Sequence, residues 1–462
     1  MLWPALHQGL FCKRSLFRLM LNNLSTSPSD VNSKIITTQS NAIKRNYFST
    51  IKKNYFECSE FFTEKKLSAR FAIFDQETEA NKNALLGTNR DFTAPPPRSI
   101  GNDSTYFRLN KWARHAVYRK IIGTKAADFC HRGLVPLILP DGKRLQRNLV
   151  DVWKKEQNFS YGGLFTCGSV WICPVCAAKI SNHRRMEMNK ALTVAESKGL
   201  QVLHLTLTAP HHLGESLEDL IEKMSKALRL MFHRKPWKRL KLALGLKGTI
   251  RALENPHSWS NGWHVHFHEL LICEKLFCDI HLREIKKDIF NQWLSACLTA
   301  GLQAPSEFNG VDLADGRSAG DYIGKWGVED EMTKAHIKKG RGDSLSAFQF
   351  LDKILEGDLR YEPLFKEHAK AMKGRNQLVW SRGLREYLKM EEELTDEKIA
   401  ESQESESELF AQIPLEVWAV ILQKEKRGEV LEACRGGEEN LKIYLNNLIK
   451  SKGLNSEQNQ RH

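Results

Sequence analysis

Three histidines alternate in the run Asn261-Gly-Trp-His264-Val-His266-Phe-His268-Glu-Leu-Leu-Ile272. Side chains two apart on a strand share a face, so this spacing predicts three imidazoles on one side, with Val265, Phe267 and Leu271 turned toward a core. Neighbouring neutral imidazoles can bind one divalent ion. Glu254, in Arg251-Ala-Leu-Glu254 just upstream, would make a His-His-Glu site with positions left open for a phosphate and water. The plainer alternative is a chance histidine cluster on a wetted strand. In Ser318-Ala-Gly-Asp321-Tyr322-Ile-Gly-Lys325-Trp326, Tyr322 and Lys325 would lie on one helix face, so that a hydroxyl and an ammonium could meet one phosphate. A phenol oxygen attacking a phosphodiester would form a phosphotyrosine ester and release a 3′-hydroxyl. By itself a Tyr-x-x-Lys says little; the histidine strand gives it meaning.

A second cluster is built on sulphur. Phe165-Thr-Cys167-Gly-Ser-Val-Trp-Ile-Cys173-Pro-Val-Cys176 sets two thiols at the separation that lets both reach one tetrahedral Zn²⁺, with a third six residues earlier. Cys130, in Phe129-Cys130-His131-Arg132, is the expected fourth ligand, with His131 or His183 as substitutes. Loose core thiols or a redox pair are the alternatives, and a redox pair would follow a strand without a third cysteine ahead of it. The scattered Cys12, Cys58, Cys273, Cys278, Cys297 and Cys434 read mainly as core filling. After the cysteines a basic helix over 179–190 carries Lys179, His183, Arg184 and Arg185, suited to phosphates.

These groups need rigid elements to hold them. Gln201-Val-Leu-His-Leu-Thr-Leu-Thr208 alternates polar and apolar residues and predicts a half-buried strand, a natural neighbour for the histidine strand. Ser216-Leu-Glu-Asp219 opens a helix whose Leu217, Leu220, Ile221, Met224, Leu228, Met231 and Phe232 form an apolar stripe. Its basic, aromatic end over 232–239 suits single-stranded DNA or an ordinary solvated surface. Another helix is expected over 284–298.

The chain of 462 residues can bury a sizeable core without disulfides, and no apolar run approaches the roughly 18 residues of a membrane span, so a soluble, cytoplasmic protein is expected. Its 69 Lys and Arg against 55 Asp and Glu give a net charge of +14, which suits a polyanionic partner. Residues 1–100 read as a basic leader and linker ending at Ala94-Pro-Pro-Pro-Arg98. Residues 101–195 would form the zinc and DNA-contacting segment, 196–390 the catalytic domain, 391–412 an exposed acidic linker, and 413–462 a helical piece broken at Gly436-Gly437.

The combination resembles the rolling-circle plasmid replication initiators of the HUH endonuclease superfamily. Leu205-Thr-Leu-Thr208 resembles the first motif, His266-Phe-His268 is similar to the His-hydrophobe-His motif, and Tyr322-Ile-Gly-Lys325 matches the tyrosine motif. The cysteine segment, Met332-Thr-Lys-Ala-His-Ile-Lys-Lys-Gly340 and Gln377-Leu-Val-Trp-Ser-Arg-Gly-Leu384 look like those of one plasmid branch. The resemblance implies an α+β fold, with an antiparallel ferredoxin-like sheet, helices on one face and the active site on the other. It also implies that His266, His268 and Glu254 hold Mg²⁺ or Mn²⁺. Tyr322 would then nick one strand at an origin and stay joined to its 5′ end, while Lys325 positions the phosphate and His264 contacts DNA or supports the ligands. Partners would be plasmid origin DNA and a host helicase with its replication machinery, and no membrane. Where some relatives carry a glutamate four residues before the tyrosine, this chain has Ser318, leaving Asp315 or Asp321 as candidate bases for termination. The competing readings are a transposase or relaxase using the same chemistry, and a non-catalytic zinc-stabilised DNA-binding protein.

Overall fold

Alternation over residues 201–208 does what a period of two demands: the segment is a strand, with Leu203, Leu205 and Leu207 fully buried. The computed structural model describes residues 103–316, 343–402 and 406–458. Ahead of the strand lie α1 (Asp103–Ile122), α2 (Lys125–Phe129), β1 (Leu137–Ile138), β2 (Arg144–Leu145), β3 (Leu149–Lys155), β4 (Asn158–Gly162) and α3 (Pro174–Ser197). The strand itself is β5 (Gln201–Thr208), followed by α4 (Leu217–His233), α5 (Lys235–Leu244) and β6 (Leu246–Glu254). Then come a small hairpin of β7 (His257–Ser258) and β8 (Gly262–Trp263), β9 (His266–Cys273), α6 (Asp279–Ala300) and β10 (Val311–Asp315). Beyond residue 343 are α7 (Ala347–Leu355), α8 (Tyr361–Ala371), β11 (Leu378–Trp380), α9 (Leu384–Tyr387) and α10 (Asp396–Glu401). The chain closes with β12 (Glu408–Pro414), α11 (Leu415–Gln423), α12 (Arg427–Cys434) and α13 (Gly437–Gln458).

The fold is α+β, centred on a five-stranded antiparallel sheet in the order β10-β5-β9-β6-β11. Its strands and connecting helices follow a β-α-β-β-α-β succession, with α5 added to the first crossover and the β7–β8 hairpin inserted between β6 and β9. Helix α4 begins as expected, Ser216 Oγ accepting from the Asp219 amide at 3.3 Å. Its stripe of Leu220, Met224 and Leu228 packs with Trp293 of α6 in the core that includes Leu203, Leu205, Phe267 and Leu271 of the sheet.

The opposite face departs from the expectation of helices on one side alone. Leu270 and Ile272 share a face with His266 and His268, and apolar residues there must be covered. Met188 and Leu192 of α3, with Leu384 and Leu388, cover them, so helices flank both faces. Strand β9 accordingly has all eight residues buried. A second correction concerns its start. His264 precedes the strand, which opens at His266, so two imidazoles rather than three alternate on it.

Two segments far apart in the sequence also meet. Strand β12 pairs antiparallel with β3, giving a three-stranded sheet β12-β3-β4. The segment over 101–195 thus shares a sheet with a strand that straddles the expected linker over 391–412 and the start of the piece over 413–462, within a unit that spans Ile100–His462. Nor is the acidic stretch simply an exposed linker. Glu391 bonds Lys190 at 2.7 Å, Arg184 meets Glu393 at 3.3 Å and Asp396 at 3.2 Å, and α10 buries Ile399 and Ala400. Part of the charge run is thus met by the basic helix. Among the described residues no helix is long and apolar enough to cross a membrane.

One buried charge in the sheet sets a pH dependence. Glu269 is 1% exposed on the face of Phe267 and Leu271, with Arg251 Nε 3.8 Å away, and burial pushes its carboxyl up to about 7. The folded protein therefore keeps this proton where the unfolded chain, near the ordinary 4.5, has lost it. Stability from this group is fully present below the unfolded value and declines as pH rises through about 7, by about 3 kcal/mol in all. Glu269→Gln is expected to raise the urea midpoint at pH 8 and to change it little at pH 5; an equal effect at both would show that Glu269 stays ionised.

Candidate active site and metal centres

Antiparallel pairing decides which side chains meet. Register places Glu254 of β6 directly opposite His266 of β9 and Ala252 opposite His268; on the other side Thr206 and Thr208 of β5 face His268 and His266. Paired residues point to the same face. Glu254 Oε2 is consequently 3.0 Å from His266 Nε2 and 3.7 Å from His268 Nε2. Burial opposes the charge on Glu254, but the hydrogen bond from His266 and the closeness of His268 outweigh it and hold the carboxyl well below the usual range. Ligands about 2.1 Å from an ion lie roughly 3.0 Å apart at adjacent octahedral positions. Glu254 and His266 already stand at that spacing, and with His268, all three ligand atoms mutually within 4.8 Å, they could hold a divalent ion.

More imidazoles flank this trio than the strand pattern foretold. His268 Nδ1 is 3.0 Å from His204 Nε2 and 3.3 Å from Thr206 Oγ1. On the other side His264 lies with its ring centroid 4.9 Å from that of His266 and its Nδ1 3.5 Å from His211 Nδ1. Burial pushes His264 down to about 3, so this half-buried ring is neutral at physiological pH. Neither His204 nor His211 stood out in the sequence. His204 could have been found from its parity with Thr206 and Thr208, which puts it on the histidine face.

The expected nucleophile Tyr322, with Lys325, Ser318 and Asp321, lies outside the described residues, as does the motif over 332–340. Their flanks are described. Gly316 donates its amide to Val202 O at 2.9 Å, and Leu345 pairs with His257 through bonds of 2.9 and 2.8 Å. Asp315 is paired with Leu203 and accepts from Gln201 Nε2 at 2.7 Å. Leu203 and Thr208, the partner of His266, are five residues apart on β5, or about 17 Å. Asp315 as a base beside the histidines is thus corrected: it sits toward the other end of the sheet.

The sulphur cluster assembles from three places. Cys130 ends α2, Cys167 lies in the loop after β4, and Cys173 and Cys176 sit at the start of α3, with Pro174 at its first turn. Cys130 Sγ is 3.7 Å from both Cys173 and Cys176, and Cys167 is 3.8 Å from Cys176. Sulphurs roughly 2.3 Å from a tetrahedral ion would be about 3.8 Å apart. The four are free thiols, so the fit is to a metal rather than to disulfides. Tyr118 Oη lies 3.6 Å from Cys167, and His131 Nε2 3.7 Å from Cys176, outside the four. Hydrogen bonds from Cys130, Cys173 and Cys176 hold the Cys167 thiol well below its usual range, whereas burial pushes Cys173 up. Four thiolates brought this close need a cation among them.

Of the two arginines expected on phosphates, Arg184 is corrected. It is 5% exposed and spends its guanidinium on Glu187, Glu393, Asp396 and the Leu394 carbonyl. Arg185 is half-buried and bonds Asn182 Oδ1 at 3.1 Å.

Residues 165–299 match the family model described as "Replication protein". The resemblance to plasmid replication proteins holds. The matched stretch carries Cys167, Cys173, Cys176, Glu254, His266 and His268, and it stops before Asp315 and Tyr322. Among characterised proteins, a "Protein rep" of Streptomyces lividans is 23% identical over 294 residues, covering 49% of this chain and 64% of that protein. A "Protein rep" of Lentilactobacillus hilgardii is 30% identical over 108 residues, covering 23% of this chain and 33% of that protein. A "Neomycin resistance protein" of Streptomyces cyanogenus is 26% identical over 134 residues, or 24% and 31%. The chain thus spans just under two thirds of the first relative and about a third of the others. No solved structure matches it.

If the four sulphurs hold an ion, a strong chelator lowers the melting temperature of the intact protein by several degrees. Cys173→Ser is expected to melt as low as the chelated wild type and to ignore chelator; a wild type indifferent to chelator would mean that the cluster is held by packing alone.

Proposed function

We propose that the protein initiates plasmid replication by nicking one DNA strand at the origin, with Tyr322 as the nucleophile. The observation that carries this reading is the register-fixed meeting of Glu254, His266 and His268 inside the stretch that matches the replication-protein model. The β-α-β-β-α-β succession and the sheet order β10-β5-β9-β6 support a ferredoxin-like core of the HUH type. A Mg²⁺ or Mn²⁺ ion, when bound by these three side chains, would polarise the scissile phosphate and neutralise its developing charge.

The chain's own residues would do the rest. The Tyr322 phenol gives up its proton to solvent as its oxygen bonds to phosphorus; the bond from phosphorus to the 3′-oxygen breaks, and that oxygen takes up a proton in turn to leave as a free 3′-hydroxyl. The 5′ end remains joined to the protein as a phosphotyrosine ester, so no nucleotide is consumed in making the nick. Lys325, three residues further on in the sequence, holds the phosphate for this attack. Neutral His264, between His266 and His211, and Arg185 serve as DNA contacts. The four cysteines take Zn²⁺, the ion suited to a closed tetrahedral thiolate set. The free 3′-hydroxyl would be handed to a host helicase and polymerase. A net charge of +14 supports origin DNA as the partner.

A supercoiled plasmid carrying the cognate origin, incubated with Mn²⁺, is expected to yield a covalent protein–DNA adduct that Tyr322→Phe abolishes. His266→Ala with His268→Ala should slow nicking by at least about 100-fold. An adduct that persisted in Tyr322→Phe would move the nucleophile elsewhere. Salt-sensitive origin binding without any nicking would leave a DNA-binding protein and no enzyme.

A further inference from the structure

We infer that His204 is a positioning residue for the ion-binding site: it fixes the ring of His268 so that Nε2 presents a lone pair to the ion. The inference rests on the metal reading proposed above and adds to it a residue one strand away. His204 lies on β5, two residues before Thr206, which is the register partner of His268. Its Nε2 is 3.0 Å from His268 Nδ1, and the two ring planes differ by only 22° with centroids 5.1 Å apart. The rings therefore meet edge to edge and nearly coplanar, the geometry of an in-plane nitrogen-to-nitrogen hydrogen bond rather than of face-to-face contact.

A neutral imidazole carries one proton, so which nitrogen holds it decides what the other can do. If His268 Nδ1–H donates to His204 Nε2, with Thr206 Oγ1 at 3.3 Å as a lesser acceptor, then His268 Nε2 is bare. That Nε2 is buried, has no hydrogen-bond partner among the described residues, and faces Glu254 Oε2 at 3.7 Å. A buried nitrogen of this kind costs free energy unless something binds it, and an ion shared with Glu254 and His266 would. The reverse polarity, with His204 donating, would put a proton where the ion must sit. Ligating imidazoles are commonly oriented through their second nitrogen by such a partner, and losing it weakens metal binding by about 10–100-fold.

The test measures Mn²⁺ uptake by the full-length, zinc-loaded protein, following free Mn²⁺ by electron paramagnetic resonance. The thiolate cluster favours softer ions and should not compete for Mn²⁺. His204→Phe is expected to weaken binding by about 10–100-fold. His204→Gln, whose side-chain amide can still accept from Nδ1–H, should stay within a few-fold of wild type. Equal affinity in wild type and His204→Phe, with uptake still abolished by His266→Ala and His268→Ala together, overturns the inference and spares the metal reading. Uptake insensitive to that double variant overturns both. Should His204→Phe fail to fold, nitrogen-15 spectra of the Mg²⁺-loaded wild type decide, with the resonance assigned by its loss in His268→Gln. A proton on His268 Nδ1 supports the assignment, and a proton on Nε2 overturns it.

Discussion

The register between β6, β9 and β5 is the constraint on which the candidate site depends. Slipping β6 by one residue against β9 would turn Glu254 to the face that holds Phe267 and Glu269 and take its carboxylate away from His266 and His268. Register is pinned because neither face of β9 is free: Phe267 and Leu271 are locked into one core, Leu270 and Ile272 into the other. Donor geometry is thus inherited from packing on both sides of the sheet. The ligands belong to strands rather than to loops, which is why a pair of residues separated by a hairpin can meet at 3.0 Å.

How much of this could be read in the sequence depended on whether the partner was local. Parity within Gln201–Thr208 and His266–Ile272 marked both strands and their buried faces, and the Ser216 cap marked the start of α4. Glu254 was also within reach, because it precedes the histidines by a short, hairpin-forming stretch. His204 is less legible, although the same alternation displays it. An isolated polar residue on a strand shows a face and not a partner, and its partner here is set by β5–β9 register across a sequence separation of 64. The pairing of β12 with β3 left no local trace at all, since 250-odd residues separate strands that look alike with any other edge.

Charge misled where pairing was long-range. A run rich in glutamate reads as self-repelling, and a helix rich in lysine and arginine reads as a phosphate surface, when each is taken alone. In the fold they supply counter-charges to each other: Lys190 bonds Glu391, and Arg184 reaches Glu393 and Asp396. Desolvation explains the choice for Arg184, which is almost fully buried and would be costly without carboxylates. Exposed pairs such as Lys190–Glu391 add little stability, so α10 is held chiefly by Ile399 and Ala400 and by Lys179, which donates to the Ala400 carbonyl at 2.8 Å.

Helix α3 connects the two clusters. Its first turn carries Cys173 and Cys176, and further along Met188 and Leu192 cover the apolar part of the very sheet face on which His266 and His268 stand. A helix is rigid over this length, so the placement of its start constrains the placement of its body. If an ion draws the four sulphurs together, it sets the pose of α3 against the sheet, and with it the wall beside the histidines. The same helix turns Arg184 and Lys190 toward the acidic stretch, and the thiol-bearing segment shares its three-stranded sheet with the C-terminal strand. A thiolate cluster remote in sequence from Glu254 and His266 can therefore support their chemistry without touching a phosphate, through the packing of one helix.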